Sequence, residues 1–223
     1  MQSINFQPLY LSLQLALIST ILLILIGIPI SWWLSQTKQN KTKIIIETII
    51  ALPLVIPPTI LGFYLLLLFN QHNILGKIWF IIIGTKLAFS FPGLVIASCI
   101  YSLPFIIQPI QLAFEKLGKR PIEQALILQQ SKIKIFFKII IPLSKTGIIT
   151  GAILTFAHTL GEFGVVLMVG GNIPGKTQVI SIAIYELVEE LNYNSTHILS
   201  IITIAISSLI LIALFSLNNK KTK

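Results

Sequence analysis

Apolar residues run in long stretches, and the charged residues collect between them. Residues 9–34 carry no charge, and a helix of about 20 apolar residues crosses the hydrocarbon core of a bilayer. Comparable runs cover 46–69, 87–113, 136–163 and 196–217, the fourth interrupted near its start by Lys138 and Lys145. Each predicts a transmembrane helix, about five in all. The first run reads as a crossing and not as a cleavable signal peptide: no basic residue precedes it, and its positive charges follow it. Between the fourth and fifth runs, 165–191 is apolar but broken by Gly and Pro, which predicts a short or re-entrant excursion at the outer side.

Composition agrees with a membrane solvent. Hydrophobic residues make up 55% of the 223 and charged residues 10%, against about 25% charged in soluble domains. Mean hydropathy is +0.91. These values exclude a soluble globular domain, a disordered chain and a disulfide scaffold; the single cysteine, Cys99, has no intrachain partner. The whole chain, 1–223, reads as one all-α membrane domain. Net charge is +9, a balance that also suits nucleic acid, but placement decides otherwise. With the N-terminus outside, the inner segments hold Lys38, Lys41 and Lys43; Lys116, Lys119, Arg120, Lys132, Lys134, Lys138 and Lys145; and Lys220, Lys221 and Lys223. Only Lys77, Lys86 and Lys176 are left outside. The positive-inside rule therefore sets N-out, C-in, and no nucleic-acid partner is implied. The abundance of Ile and of Lys over Arg points to an AT-rich genome, hence a bacterial cytoplasmic membrane or a plastid membrane.

Proline inside a membrane helix frees a carbonyl that needs a partner or a water-filled cavity. Pro53, Pro57 and Pro58 stand in the second predicted helix, followed by Thr59 and Gly62. The helix is expected to kink, either beside a translocation pathway or as plain structure, and Gly62 permits close helix approach. Glu162 is the one acid expected within the bilayer, where carboxylates are costly and mark function by default. His158 lies four residues earlier and shares its face on a continuous helix. Proton relay, ion pair, gate latch and buried structural pair all fit these two residues. Two ligands make no metal cage, so no metal site is expected.

The segment 114–135 is the longest polar stretch. Pro121 suits a helix start, and Ile122, Ala125, Leu126, Gln129 and Ile133 recur at three- and four-residue spacing. That gives one stripe on a short helix outside the bilayer, which either lies on anionic lipid or docks a soluble partner. Residues Gly170 to Thr177 fit the phosphate-loop pattern G-x-x-x-x-G-K-[ST] letter for letter. The match is rejected: the segment lies outside, the chain has no Asp to help hold Mg²⁺, and no soluble α/β domain carries it. The sequence has no H-E-x-x-H, no G-x-S-x-G and no cysteine paired with a nearby His.

Glu123-Gln124-Ala125, then Ser131 and Ile141-Pro142, with Phe136, Phe137 and Gly147, resembles the EAA loop of ABC importer permeases. In that family the loop forms coupling helices that enter a cleft of the ATPase subunit. The resemblance implies that Glu123, Gln124, Ala125, Gln129, Ser131, Ile141 and Pro142 couple this chain to an ATPase. The family usually has Gly where Gln129 stands, so the turn there is expected to be tighter helix. Residues 51–64, and 160–164 with 171–178, are similar to the molybdate and sulfate permease branch; Pro174-Gly175 and the compact length favour molybdate, with tungstate permeases close relatives. The resemblance implies a type I ABC importer permease fold and a homodimer with its pathway at the subunit interface. It further implies cytoplasmic ATPase subunits, an extracytoplasmic oxyanion-binding protein, and a transport subunit that is not an enzyme and binds no cofactor. Pro57, Pro58, Thr59, His158, Gly161, Glu162 and Gly164 are the expected pathway or gate residues. A bare carboxylate repels a divalent oxyanion, so Glu162 is expected to be latched by His158, or by backbone N–H groups near Gly161 and Gly164, and not to be a ligand. A secondary transporter or channel is the rival of a different class, and only Glu162 with His158 offers it intramembrane charge.

Overall fold

The computed structural model describes residues 5–219, with side chains as far as Ser216. Lys220, Lys221 and Lys223, counted above among the inner charges, lie outside the described residues. Every element described is helical. Three helices are long and apolar enough to cross a membrane unaided: α1 (Gln7–Gln36), α5 (Phe91–Leu117) and α12 (Tyr193–Asn219).

Two further predicted spans are broken. α2 (Lys41–Ala51), extended by a 3-10 turn Leu52–Leu54, meets α3 (Pro58–Phe69) at 107°. The cause is local: Pro57 precedes Pro58, and a residue before proline is driven out of the helical region, as its φ of -51° and ψ of 132° show. α7 (Lys132–Ile135), a π-helical turn Phe136–Ile140 and α8 (Ile141–Leu143) form a second arm, which meets α9 (Lys145–Leu160) at 68°. In 46–69 the kink expected at the prolines is this sharp bend, and the expected single span 136–163 is corrected to a bent pair. α4 (Ile74–Ile83) occupies what the sequence left as an outer connection. α6 (Arg120–Ile127) follows α5 directly, so the polar loop begins after Leu117 and not at residue 114. The expected excursion 165–191 resolves into α10 (Gly164–Gly170), a turn, and α11 (Ile180–Glu189). Val165, Val166, Val169, Ile180 and Ile182 are fully buried, so this excursion is packed into the bundle.

Lipid is as apolar as leucine, so membrane helices are held by close packing and hydrogen bonds more than by burial. α1, α5 and α9 show both. Ser31 Oγ donates to the Ile107 carbonyl at 3.1 Å, and Trp32 meets Phe114 edge-on at 5.3 Å, so α1 and α5 run parallel. α9 runs antiparallel to α5. Its Gly147 faces Ala113 and Pro109, where an added Cβ would lie 2.3 Å from the Ala113 Cβ and 2.7 Å from the Pro109 carbonyl oxygen. At the opposite end of the bundle, the Ile180 N–H donates to Ser12 Oγ at 2.7 Å and ties α11 to α1.

The basic residues gather at one end of the bundle. Lys43, at the start of α2, is buried and sits 3.6 Å from Glu47 and 3.5 Å from Glu115 of α5. Gln111 Nε2 donates to both carboxylates, at 2.7 and 2.9 Å. Beside this cluster, Trp32 packs on Phe136 as well as Phe114, and Ala125, Ile135 and Ile140 join the same apolar core. The loop that joins α5 to α9 is therefore seated on the bundle by its own side chains. By the positive-inside rule this is the cytoplasmic end.

Candidate functional site

The break between α2 and α3 meets the break between α9 and α10. Gly164, at the start of α10, lies against Pro58 at the start of α3, where an added Cβ would come within 2.8 Å of the Pro58 Cβ. Gly62 packs on Met168 in the same way, as its small size predicted. Some carbonyls at these breaks find partners inside the protein, as the membrane requires. The Glu162 carbonyl, in the gap between α9 and α10, accepts from Ser181 Oγ at 2.6 Å. The Val55 and Ile56 N–H groups both bond the Leu52 carbonyl.

At this junction stands a buried polar cluster. Glu162 is 4% exposed. Ser98 Oγ of α5 donates to its Oε2 at 2.8 Å, while Oε1 has no hydrogen-bond partner among the described residues. His158 does not hold Glu162. Its Nδ1 lies 2.9 Å from Ser102 Oγ, which also lies 2.9 Å from Thr159 Oγ1. The imidazole stacks on Phe105 at 4.0 Å and meets a tilted Tyr101 at 4.7 Å. The expected His158–Glu162 latch is therefore corrected: α9 ends at Leu160, so the four-residue spacing no longer puts the two on one face. Each turns separately to a serine of α5. The alternative latch, through backbone N–H groups near Gly161 and Gly164, is replaced by the Ser98 hydroxyl. Sequence reasoning missed Ser98, Ser102 and Ser181. Ser98 and Ser102 repeat at four residues in an apolar run, the same spacing as His158 and Glu162, and that echo was the available signal.

Of the expected pathway residues, Pro58, Glu162 and Gly164 converge at the junction. Pro57, Thr59 and Gly161 lie exposed beside it, and His158 is half-buried one turn below.

The segment once matched to a phosphate loop closes on itself. Thr177 is fully buried, and its Oγ1 donates to the Gly170 carbonyl at 2.7 Å while accepting from the Ile173 N–H at 3.2 Å. The N–H groups of Lys176, Thr177 and Gln178 all bond the Ile173 carbonyl. Donors that a phosphate would need are spent internally, which supports rejecting the motif.

At the basic end, α6 divides its apolar residues between two faces. Ala125 is 4% exposed and packs inward with Phe114 and Ile135. Ile127, Leu128, Ile133 and Phe137 point outward, the first 79% exposed. Glu123, Gln124, Ser131 and Pro142 are also exposed, with Ile141 half-buried. The single docking stripe expected through Ala125 is thus corrected. The turn after α6 is corrected too: Gln129 adopts φ 55°, outside helix. Its N–H bonds the Leu126 carbonyl, and the Gln130 N–H bonds the Ala125 carbonyl. This is the left-handed helix ending that glycine usually supplies.

Residues 27–222 match the family described as "Binding-protein-dependent transport system inner membrane component". The chain belongs to this family. It is 49% identical over 207 residues to the molybdenum transport system permease protein ModB of Azotobacter vinelandii, covering 92% of this chain and 91% of that protein. The ModB of Escherichia coli K12 is 32% identical over 83% of this chain and 80% of its own length. The sulfate transport system permease protein CysT of E. coli K12 is more distant, at 27% identity over 88% of this chain and 69% of its own. Among solved structures, a bacterial ABC transporter that imports alginate matches all of this chain and 82% of its own, with a TM-score of 0.78 at 14% identity. The MetNI methionine ABC transporter matches 96% and 94%, with a TM-score of 0.72 at 17% identity. These likenesses show the fold, that of type I ABC importer permeases; the family and the three to five candidate spans make the chain a multi-pass membrane protein. The relatives reported are bacterial, which leaves the plastid alternative without support.

Proposed function

We propose that the chain is the membrane-spanning subunit of an ATP-driven importer of molybdate, and that it carries the oxyanion across the cytoplasmic membrane without hydrolysing ATP itself. The observation that carries this reading is the 49% identity, over 92% of the chain, with a molybdenum permease. The seated loop at the basic end supports an ATPase partner. Ile127, Leu128, Ile133 and Phe137 are outward apolar side chains on a polar, basic segment, the composition of a surface that another protein covers. A second copy of the chain would cover the exposed Ile60, Phe63, Tyr64, Leu67 and Leu68 of α3, which supports a homodimer with the pathway between subunits. An outer oxyanion-binding protein completes the assembly.

The test is reconstitution with an ABC ATPase and an oxyanion-binding protein from the same organism. ATP-dependent uptake of molybdate, outcompeted by tungstate more than by sulfate, is the expected result. Uptake that continues without ATP would favour a secondary transporter or channel. Uptake outcompeted chiefly by sulfate would move the chain to the sulfate branch.

A further inference from the structure

The middle of α5 carries a face that lipid cannot serve. The helix has 27 residues, about 40 Å of rise, and Tyr101, Phe105 and Gln108 stand in its middle third. Spacings of four and three residues put them on one face. Gln108 is exposed there, and hydrocarbon offers a carboxamide no partner. Water or protein therefore covers this face. His158 of α9 lies against it, stacked on Phe105 and beside Tyr101.

Proton accounting fixes the imidazole. Ser102 is fully buried and Thr159 is 3% exposed. If Thr159 donates to Ser102 and Ser102 donates to His158 Nδ1, each buried hydroxyl proton has an acceptor. Run the other way, with the N–H on Nδ1, the Thr159 proton has none, because Ser102 is the only partner of that hydroxyl among the described residues. An unsatisfied buried donor is costly. Nδ1 is therefore the acceptor, and the ring carries its N–H on Nε2. Neither Nε2 nor the Tyr101 hydroxyl has a hydrogen-bond partner among the described residues. Both residues are half-buried and neither atom is sealed off, so both donors are open to a ligand.

The donors name the chemistry. Residues 48–114 contain no acid, and Glu162, the carboxyl near this level, is 4% exposed and turned to Ser98. A cation finds no open charge to pair with, and an apolar ligand leaves both protons bare. A tetrahedral oxyanion accepts from both, in the stronger, charge-assisted kind of hydrogen bond. With no full positive charge opposite it, the anion is held weakly enough to leave, as conduction requires. We propose that the His158 Nε2–H and the Tyr101 hydroxyl donate to the transported oxyanion in the middle of the membrane, with Ser102 and Thr159 holding the imidazole in its donating tautomer. The pathway role rests on the import reading above.

The experiment uses the permease–ATPase complex in nanodiscs, with isotope-labelled histidine, and takes as those of His158 the nitrogen NMR signals lost in His158→Gln. Before molybdate is added, Nε2 should carry the proton and Nδ1 should not. Molybdate should then shift the Nε2 signal saturably, and Tyr101→Phe should raise the half-saturating concentration about tenfold, 1.4 kcal/mol. Uptake is read in parallel. His158→Phe keeps an aromatic ring on Phe105 but loses the donor, so molybdate carried per ATP hydrolysed should fall about tenfold; His158→Gln, whose amide N–H replaces Nε2–H, should recover part of it. Tyr101→Phe removes a single oxygen and decides the matter if His158→Phe lowers the thermal midpoint. A proton on Nδ1 overturns the assignment. An Nε2 signal that molybdate does not move overturns the donor role, and a permease pair that dissociates in the two Phe variants assigns the donors to a second copy of the chain instead. The readings fail separately: normal import with an unresponsive His158 loses only the donors, and a responsive His158 in a complex that imports no molybdate loses only the import reading.

Discussion

Ser98 is the only hydrogen-bond partner that the Glu162 carboxyl has among the described residues, and removing it is an informative perturbation. Ser98→Ala leaves Oε2 as bare as Oε1 already is, in a residue 4% exposed. Stranding a buried acceptor costs about 1–3 kcal/mol. At about 2–4 °C per kcal/mol for a chain of this size, the thermal midpoint should fall by roughly 2–12 °C. The cavity left by one hydroxyl is too small to add much. Glu162→Gln keeps the acceptor facing Ser98 and removes the charge, so it should be milder. The pair should be non-additive, with a coupling of about 0.5–3 kcal/mol, because the two groups touch. The assay is thermal unfolding of the purified complex for all four members of the cycle, run beside ATP hydrolysis and uptake. We expect Glu162→Gln to assemble and to hydrolyse ATP with impaired coupling to uptake. Additive midpoints would refute the hydrogen bond. Normal coupling with a large change in anion affinity alone would make Glu162 part of the binding site, and its role at the junction would fall.

Three further predictions follow from packing and turn geometry. Gly147→Ala drives a methyl into Ala113 and the Pro109 carbonyl, which should destabilise the complex by about 1–3 kcal/mol in thermal unfolding; Ala113→Gly in the same chain should recover only part of the loss, since the carbonyl stays. Gln129→Gly removes a side chain from a φ of 55° and should be neutral or stabilising by up to about 1 kcal/mol, whereas Gln129→Val should be destabilising by at least that much. Ile127→Asp should release the ATPase on size-exclusion chromatography while the permease stays folded, because Ile127 is 79% exposed; Ala125→Asp should unfold the loop itself, because Ala125 is buried in the chain's own core.

The crossings were legible because the bilayer imposes a length and charge obeys a side. What the pattern could not give was direction within a crossing. The run 46–69 is uniformly apolar past Glu47, and hydropathy has no term for a 107° bend; only the Pro57-Pro58 pair announced it. His158 and Glu162 show the same limit. Four-residue spacing implies a shared face only while the helix continues, and α9 stops between them. On α6 the period found an apolar stripe but not its cover: Ala125 turns inward and Ile127 outward, a division set by Phe114 and Ile135 from distant positions. Gln129 misled for a different reason. A non-glycine residue argues against the left-handed ending, yet the two backbone bonds to Leu126 and Ala125 hold it there.

The placement of Glu162 follows from the breaks and not from its own sequence neighbours. A helix break in a membrane exposes carbonyls and N–H groups that lipid cannot satisfy, so it survives only where protein or water supplies partners. Two breaks, after Leu54 and after Leu160, each carry that cost. Packing Pro58 against Gly164 brings them together, each with its own partners, the Leu52 carbonyl bonded by Val55 and Ile56 and the Glu162 carbonyl by Ser181. α5 provides the wall for that shared pocket, and its Ser98 and Ser102 are the polar groups on it, one for Glu162 and one for His158. The same α5 ends at Phe114 and Leu117 against the loop that carries Ala125 and Ile135. One unbroken helix therefore touches both the polar junction and the seated loop, while the helices it contacts at the junction are broken there. A movement delivered to the loop meets a rod on one side and two hinges on the other. Rigid elements transmit and breaks yield, so the junction of Pro58, Glu162 and Gly164 is where such a movement would be spent.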